Sequence, residues 1–396
     1  MSESRFRLPL VIGALALAQC FCWGMTFNLP AITGRAMAEA LGLPYAAVMG
    51  GPTVMLVVMA LAAVPFLKLF ERLGARPIMT TSVIVGALGL VAVAASTAPW
   101  AYFAGWLLVG IAGAGMLTTA VQIGLAELAG RRAKNAIAAL LVFGGLSSTI
   151  CWPLLGALQT AVGWRMATLI GAGLMLTVGA PIYWLLLAKR SAGAARRKAE
   201  VGPVLSLDRT AFTLLAFSTA ANGFVTWGFS LTIITLFEGR GIDHATAVLI
   251  ASFIGLMQFP ARLFNFAGGR WLGGLGVALL AGAGLPVSFV LLAFGAGTPA
   301  AIVFVVVYGL AGGIMAVARA TMPLDLFPAA AYARASSMLA LPLNLSFAVA
   351  PPVFAAILSG PGSEVALWVA TGLSLAALAA LTLLVLRHLA RPAIAT

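Results

Sequence analysis

Residues 245–270 read Ala245-Thr-Ala-Val-Leu-Ile-Ala-Ser-Phe-Ile-Gly-Leu-Met-Gln-Phe-Pro-Ala-Arg262-Leu-Phe-Asn-Phe-Ala-Gly-Gly-Arg270. This stretch is long and apolar enough to cross the hydrocarbon core of a membrane as one helix, which takes about 20 residues. It nevertheless carries Arg262 several residues before its basic end. A charged side chain at that depth is costly, and it usually faces a protein interior or a water-filled cavity. The stretch therefore predicts an integral membrane protein in which Arg262 has a specific task inside the helix bundle.

The composition of the whole chain also indicates a membrane protein. Hydrophobic residues make up 62% of the 396 positions and charged residues 8%, against about 25% charged residues in a soluble domain. This composition excludes an ordinary soluble enzyme. The net charge of +13 does not indicate nucleic-acid binding, because the basic residues form short clusters between apolar runs, as they do in membrane proteins. We expect the lipid bilayer, and no nucleic acid, as a partner.

The uncharged runs predict an all-α integral membrane fold of twelve transmembrane helices, here called spans 1 to 12. Two runs, 77–126 and 271–318, are too long for one helix and are expected to break at Ser96-Thr-Ala-Pro-Trp100 and at Gly295-Ala-Gly-Thr-Pro299. The other runs predict one span each, at 8–34, 40–67, 135–164, 166–188, 210–237, 244–261, 335–363 and 365–386. The predicted divisions are an N-terminal six-helix bundle (1–188), a polar cytoplasmic linker (189–209) and a C-terminal six-helix bundle (210–396).

Basic residues predict the orientation in the membrane. If both termini face the cytoplasm, 18 of the 23 Lys and Arg residues lie on that side, and three lie outside: Arg35, Arg165 and Arg240. This excess fits the positive-inside rule, so we expect a multi-pass protein of the cell inner (plasma) membrane with cytoplasmic termini. Span 1 is too long for the core of a signal peptide and is predicted to be retained. A single chain can form the whole bundle, so we expect a monomer.

The two predicted bundles repeat each other in sequence. Trp23-Gly24 in span 1 recurs as Trp227-Gly228 in span 7. Glu127 and Asp325 end spans 4 and 10, and Pro153 and Pro351 lie in spans 5 and 11. Both of these pairs are separated by 198 positions. Internal repeats of this kind are typical of secondary transporters.

Two motifs resemble those of the major facilitator superfamily of secondary transporters. Lys68-Leu-Phe-Glu-Arg-Leu-Gly-Ala-Arg-Pro77, between spans 2 and 3, is similar to the acidic-Arg-x-Gly-x-Arg loop motif of that family. Gly163-Trp-Arg165, before span 6, is similar to a second recurrent signature. The leading glycine of the loop motif is replaced by Pro65 or Phe66, and its acidic residue is Glu71. The resemblance implies two pseudo-symmetric bundles around a central cavity that opens alternately to each side.

Span 8 resembles that of monocarboxylate transporters and of the oxalate–formate antiporter family. The similarity lies in Pro260-Ala-Arg262 followed by Gly268-Gly-Arg270, and it implies that Arg262 pairs with a substrate carboxylate. A guanidinium group suits this role because it is planar, stays charged and offers two parallel hydrogen bonds to a carboxylate. Two alternatives remain open: Arg262 extends to the cytoplasmic surface, or it forms an interdomain salt bridge.

Other candidates divide into gating and binding residues. Arg319, near the end of span 10, is predicted to close a cytoplasmic gate against Glu127 or Glu71; the alternative is a second contact for the substrate. The charged residues of the loop motif are likewise predicted to form gating ion pairs. The predicted gating set is Arg319, Asp325, Glu127, Glu71, Arg72 and Arg76. The predicted substrate-binding set adds to Arg262 the residues Gln258, Trp23, Trp227, Asn222, Thr118, Gln122 and Asn344. The resemblance places spans 1, 4, 7 and 10 around the cavity, although uncharged polar residues in spans also hold helices together.

The sequence therefore predicts a secondary active, alternating-access transporter of a small organic anion, a carboxylate in particular. The alternative is an efflux pump for drugs or amphipathic metabolites, in which Arg262 is a gating residue; a receptor or scaffold without transport is a third class. No cofactor, metal site or enzymatic activity is expected. The chain lacks a phosphate-binding glycine loop and a nucleophile–His–acid constellation, and Cys20, Cys22 and Cys151 lack the spacing of a metal site. No Asp or Glu lies near the middle of a span, so a dedicated proton relay is not expected.

Overall fold

The structure is a computed structural model that describes residues 3–187, 208–327 and 329–390. Within these ranges the chain forms helices and no strand. The first helices are α1 (Glu3–Met25), α2 (Leu29–Leu41), α3 (Tyr45–Leu73), α4 (Ala75–Ala95), α5 (Pro99–Met116), α6 (Thr118–Ala129), α7 (Ala133–Phe143), α8 (Leu146–Leu174) and α9 (Ala180–Leu186). The others are α10 (Arg209–Glu238), α11 (His244–Phe294), α12 (Gly297–Leu326), α13 (Ala329–Ser359) and α14 (Ser363–Leu389).

The described helices include eleven stretches that are long and apolar enough to cross a membrane. One of them, Asn135–Leu186, has 52 residues and is interrupted at Gly163, where φ is 76° and ψ is 166°. Since a left-handed φ cannot continue a helix, this stretch forms two spans and the count reaches twelve. The predicted breaks near residues 96–100 and 295–299 separate α4 from α5 and α11 from α12. The predicted all-α membrane fold is confirmed.

Spans 8 and 9 both belong to α11 and both pack against α12. A Cβ on Gly309 of α12 would touch Met257 of span 8, and one on Gly284 of span 9 would touch Ala311 of α12. Met257 and Gly284 are 27 positions apart, which would place them about 40 Å apart along a straight helix. They lie instead beside nearly adjacent residues of α12, so the chain reverses direction between spans 8 and 9.

Many large apolar side chains are exposed along the spans. Leu61 is 75% exposed, Leu185 72% and Phe294 79%. In water such a surface would drive aggregation, whereas lipid tails are as apolar as the side chains themselves. The exposed side chains thus suit contact with a bilayer.

The chain forms two compact units, Met1–Arg196 and Arg197–Thr396. Of the predicted linker 189–209, only Asp208 and Arg209 lie within the described residues. Asp208 caps α10, because its Oδ1 accepts a hydrogen bond from the backbone N–H of Thr210 at 2.9 Å. An N-cap of this kind satisfies one of the amides that a helix start leaves unpaired.

The internal repeat is visible in the packing of each unit. In the first unit, a Cβ on Gly24 would collide with the side chain of Cys151 on α8. In the second unit, a Cβ on Gly228 would collide with the ring of Phe354 on α13. Both glycines therefore allow a close approach, of span 1 to span 5 and of span 7 to span 11. The repeated Trp-Gly pair marks equivalent helix contacts.

Two of the three arginines predicted to lie outside cap helix ends. Arg165 Nη1 donates hydrogen bonds to the carbonyls of Ala94 at 2.7 Å and Ser96 at 2.8 Å, at the end of α4. Arg240 Nη2 donates to the carbonyl of Gly295 at 2.7 Å and to two carbonyls just before it, at the end of α11. The last carbonyls of a helix lack partners within the helix and carry partial negative charge. These arginines thus have a structural role that accounts for their place on the side with few basic residues.

Replacing Arg240 by alanine is expected to destabilise the protein by about 2 kcal/mol, because hydrogen bonds that involve a charged group contribute roughly 1.5–3 kcal/mol. The measurement is thermal unfolding of the purified protein in detergent. Arg387→Ala is the matched control, since Arg387 is exposed on the last turn of α14. Equal melting temperatures for the two variants would contradict the capping role.

Candidate substrate site

Two spans of the first unit are broken, which the sequence did not predict. Span 1 is interrupted at 26–28, between α1 and α2, and span 4 at Leu117, whose backbone is extended (φ −90°, ψ −158°). The break in span 4 leaves the carbonyl of Met116 to be satisfied by side chains. Gln19 Nε2 donates to it at 2.7 Å and the Tyr183 hydroxyl donates at 3.2 Å. Broken spans of this kind are stable only when other groups satisfy the freed backbone.

The predicted binding residues of the first unit lie at these breaks. Trp23 Nε1 donates a hydrogen bond to Thr118 Oγ1 at 3.1 Å, which joins span 1 to the start of α6. Asn28 Nδ2 donates to Ser147 Oγ at 3.1 Å and joins span 1 to span 5. Two of the predicted binding residues, Trp23 and Thr118, are thus brought together, and their side chains are hydrogen-bonded to each other. Gln122 lies one turn further along α6 and is half-buried.

The second unit contains an aromatic stack beside an arginine. The rings of Trp227 on α10 and Phe347 on α13 are stacked, with centroids 4.3 Å apart and an interplanar angle of 11°. The guanidinium carbon of Arg319 lies 5.6 Å from the centroid of Phe347. The Tyr308 hydroxyl donates a hydrogen bond to the carbonyl of Thr226 at 3.0 Å. Spans 7, 10 and 11 therefore meet around Arg319.

Arg262 projects from α11 and is half-buried. Its Nη2 donates a hydrogen bond to Gln258 Oε1 at 2.9 Å. The two residues are four apart and so share one helix face, as predicted. Because Gln258 precedes Arg262, the side chain turns back toward the start of span 8, away from its basic end. This direction is opposite to the one needed for extension to the membrane surface at the basic end of the span.

Spans 8 and 10 bring the two arginines near each other. Gly309 packs on Met257 and Gly313 packs on Ala261, so the two spans run parallel, in register over this length. Arg262 directly follows Ala261, and Arg319 lies six residues after Gly313, so the two arginines lie on packed, parallel spans and their positive charges repel each other. The predicted binding arginine and a predicted gating arginine thus lie within one group of side chains.

The two predicted asparagines of the second unit differ in burial. Asn222 on α10 is 3% exposed, and its Oδ1 is buried without a hydrogen-bond partner among the described residues. A buried amide oxygen without a donor is costly, so this atom is available to a ligand or a water molecule. Asn344 on α13 is exposed. No described contact links it to Arg262.

Two of the predicted gating residues of the first unit have described contacts. Glu127 Oε2 accepts a hydrogen bond from the backbone N–H of Ala75 at 3.0 Å, at the first turn of α4. The guanidinium of Arg76 lies 4.2 Å from the ring centroid of Trp184. The gating role of both residues stays a prediction. Glu71 and Arg72 are exposed on the last turn of α3.

Asp325, near the end of α12, lies against α11. A Cβ on Gly274 of α11 would collide with the Asp325 carboxylate. The gating roles of Glu127 and Asp325 stay predictions.

Three residues near these groups were missed by sequence reasoning: Phe347, Tyr308 and Tyr183. Phe347 is one of 22 phenylalanines and sits in an apolar span, so no local signal distinguishes it. Tyrosine is less common, with five in the chain, and its hydroxyl needs a partner when buried. A tyrosine within an apolar span was a signal that could have identified Tyr183 and Tyr308. Among the described His, Cys, Asp and Glu side chains, no group of three could hold a metal ion.

The fold and the intramembrane arginines define a membrane transporter, and the comparison with known families agrees. The profile of the Major Facilitator Superfamily matches residues 14–291, well over half of the chain. The chain belongs to this superfamily. The finer likeness of span 8 to monocarboxylate carriers stays a prediction. A search of curated proteins found no match.

Solved structures with the same fold include transporters of different kinds. The nucleoside transporter NupG aligns with a TM-score of 0.73 and 17% sequence identity over 96% of this chain and 99% of that chain. A point mutant of the same transporter aligns with a TM-score of 0.76 and 16% identity over 95% and 99%. A bacterial homolog of the human lysosomal transporter Spinster, inward-facing and occupied, aligns with a TM-score of 0.68 and 18% identity over 96% and 94%. At these identities the likeness shows the fold alone.

Proposed function

We propose that this protein carries a small organic anion, a carboxylate in particular, across the membrane by alternating access. The observation that carries the proposal is the pair of arginines in spans 8 and 10 of the second unit, beside the Trp227–Phe347 stack. Intramembrane charges are rare and mark substrate or ion pathways. Two of them on neighbouring spans favour a negatively charged substrate.

Two buried polar atoms of the second unit support this assignment. Arg319 Nη1 and Asn222 Oδ1 are buried without hydrogen-bond partners among the described residues. Both atoms therefore retain hydrogen-bonding capacity for a ligand. We assign recognition of the anion to Arg262, with Gln258 holding one edge of its guanidinium group.

The remaining predictions complete the proposal. Trp23, Thr118 and Gln122 of the first unit would also take part in substrate binding. The protein would reside in the inner membrane as a monomer, with both termini in the cytoplasm. Transport would be coupled through the proton of the substrate itself or through anion exchange, because neither needs a carboxylate in the middle of a span.

A second candidate is the transport of flat uncharged or amphipathic compounds, including drugs and nucleosides. The observation that favours it is the Trp227–Phe347 stack, because an aromatic face can stack on a planar ring. One structural neighbour is a nucleoside transporter. In this alternative, the arginines would act in gating and would not touch the substrate.

Uptake into proteoliposomes separates the two candidates. We expect saturable uptake of at least one labelled mono- or dicarboxylate, and none of a nucleoside or a lipophilic cation. Protein-free liposomes and competition by unlabelled substrate are the controls. Saturable transport of the nucleoside or the cation, with no carboxylate carried, would sink the anion proposal in favour of the second candidate.

A further inference from the structure

Arg319 lies in the same region of the second unit as Arg262, but it is closer to the C-terminal end of its span. Ala261 packs on Gly313 and the spans are parallel, so Arg262 is level with about residue 314 of α12. At 1.5 Å per residue, Arg319 is then roughly 8 Å further along the helix axis. Two long arginine side chains can span such a distance together with a small ligand between them.

The charge of Arg319 is not neutralised within the described part of the chain. Its Nη1 is buried and has no hydrogen-bond partner there, and no described carboxylate forms an ion pair with it. The nearby ring of Phe347 offers only the weak attraction of an aromatic face for a cation. Arg262 adds repulsion. A buried, uncompensated charge is strongly unfavourable, so an occupant that supplies negative charge at Arg319 would stabilise this arrangement.

We propose that the substrate is a small organic dianion, such as a short dicarboxylate, with one anionic group at Arg262 and the other at Arg319. The inference rests on the proposed function and goes one step further by giving the substrate a second charge. A monocarboxylate at Arg262 would leave the charge of Arg319 uncompensated. A dianion supplies negative charge at both guanidinium groups and offsets their mutual repulsion.

This assignment takes the second of the two roles that the sequence left open for Arg319. A gate residue acts on the change between access states, so its loss alters the transport of every substrate alike. A substrate contact acts on affinity and discriminates between substrates by charge. Loss of a substrate contact therefore changes the ratio of the affinities for a doubly and a singly charged substrate, whereas loss of a gate residue does not. Transport rates alone do not report this ratio.

The test is a binding measurement on the purified full-length protein in detergent, by titration calorimetry. Each dicarboxylate is paired with its own monomethyl ester, for example succinate with monomethyl succinate, so that one charge changes and the skeleton stays constant. We expect the wild type to bind the best dicarboxylate roughly 10- to 100-fold more tightly than its monoester. We expect Arg319→Gln to lose this preference by weakening dicarboxylate binding alone, and Arg319→Lys to retain most of it. Arg387→Gln serves as the control for removal of an exposed arginine.

The outcomes separate this inference from the proposed function. If the wild type binds monoester and dicarboxylate equally, or if Arg319→Gln weakens both equally while Arg319→Lys restores both, the dianion inference is overturned and the anion proposal stands. If neither ligand binds and neither is transported for any pair tested, both are overturned. Loss of preference in Arg319→Gln alone supports the inference, because a variant that only unfolds would bind neither ligand.

Discussion

Replacing Arg262 by lysine is expected to lower carboxylate uptake by at least tenfold, and replacing it by alanine by roughly 100-fold or more. Removing one partner of a buried hydrogen-bonded charge pair typically costs 2–5 kcal/mol, and each 1.4 kcal/mol is a factor of ten. Lysine keeps the positive charge but loses the planar fork that matches a carboxylate. It also loses the geometry by which Gln258 Oε1 holds one edge of the guanidinium and fixes the plane of the group. The measurement is initial uptake into proteoliposomes at equal protein content.

The control for this experiment is Arg387→Lys, which makes the same change at an exposed position of α14. Unfolding is excluded if the melting temperature in detergent stays within a few degrees of the wild type. Carboxylate uptake by Arg262→Lys at the level of the wild type would show that the fork is not needed, and would return Arg262 to a gating or surface role. The surface role is already disfavoured, because the hydrogen bond to Gln258 draws the side chain toward the start of its span.

The number of the spans and the turns that separate them could be predicted because they depend on local properties. Crossing a membrane requires a run of apolar residues. Such a run can be recognised in the sequence without knowledge of the rest of the chain. The turns at 96–100 and 295–299 contain proline and polar residues, so they were predicted inside runs without a single charge. Arg262 and Gln258 were assigned to one face because helical spacing alone determines it. The fold class and the family follow from such local signals added together.

The internal breaks and the aromatic wall could not be predicted, because they depend on partners from distant parts of the chain. The interruption at Leu117 needs a donor for the Met116 carbonyl, and Gln19, which supplies one, is 97 residues away. Phe347 matters only because Trp227 stacks on it from another span. The guanidinium of Arg76 lies over the ring of Trp184, which belongs to a different span. The pattern of charges in the sequence indicates that an arginine within the bundle needs a partner. It does not identify which residue that partner is.

A single methyl group at Gly228 is expected to abolish most transport and to lower the melting temperature. The Cβ of alanine would overlap the ring of Phe354, which is fully buried. That ring has little freedom to move, because Phe229 and Phe224 pack on it with centroids 4.5 Å and 5.6 Å away. Overpacking of this kind costs about 1–3 kcal/mol, against the gain of up to about 1 kcal/mol that alanine brings over glycine in a helix.

The effect on transport follows from the position of Gly228 next to Trp227. If span 7 moves away from span 11 to relieve the overlap, Trp227 loses its stack on Phe347, and the aromatic wall beside Arg319 opens. Gly372→Ala is the matched control, since a Cβ at that glycine of α14 meets nothing within 4 Å. We expect Gly372→Ala to leave transport unchanged and to raise the melting temperature slightly. Gly228→Ala combined with Phe354→Leu should recover part of the transport lost in Gly228→Ala, because the smaller side chain restores room for the methyl group. Normal transport by Gly228→Ala alone would mean that the close approach of spans 7 and 11 is not what holds the aromatic wall in place.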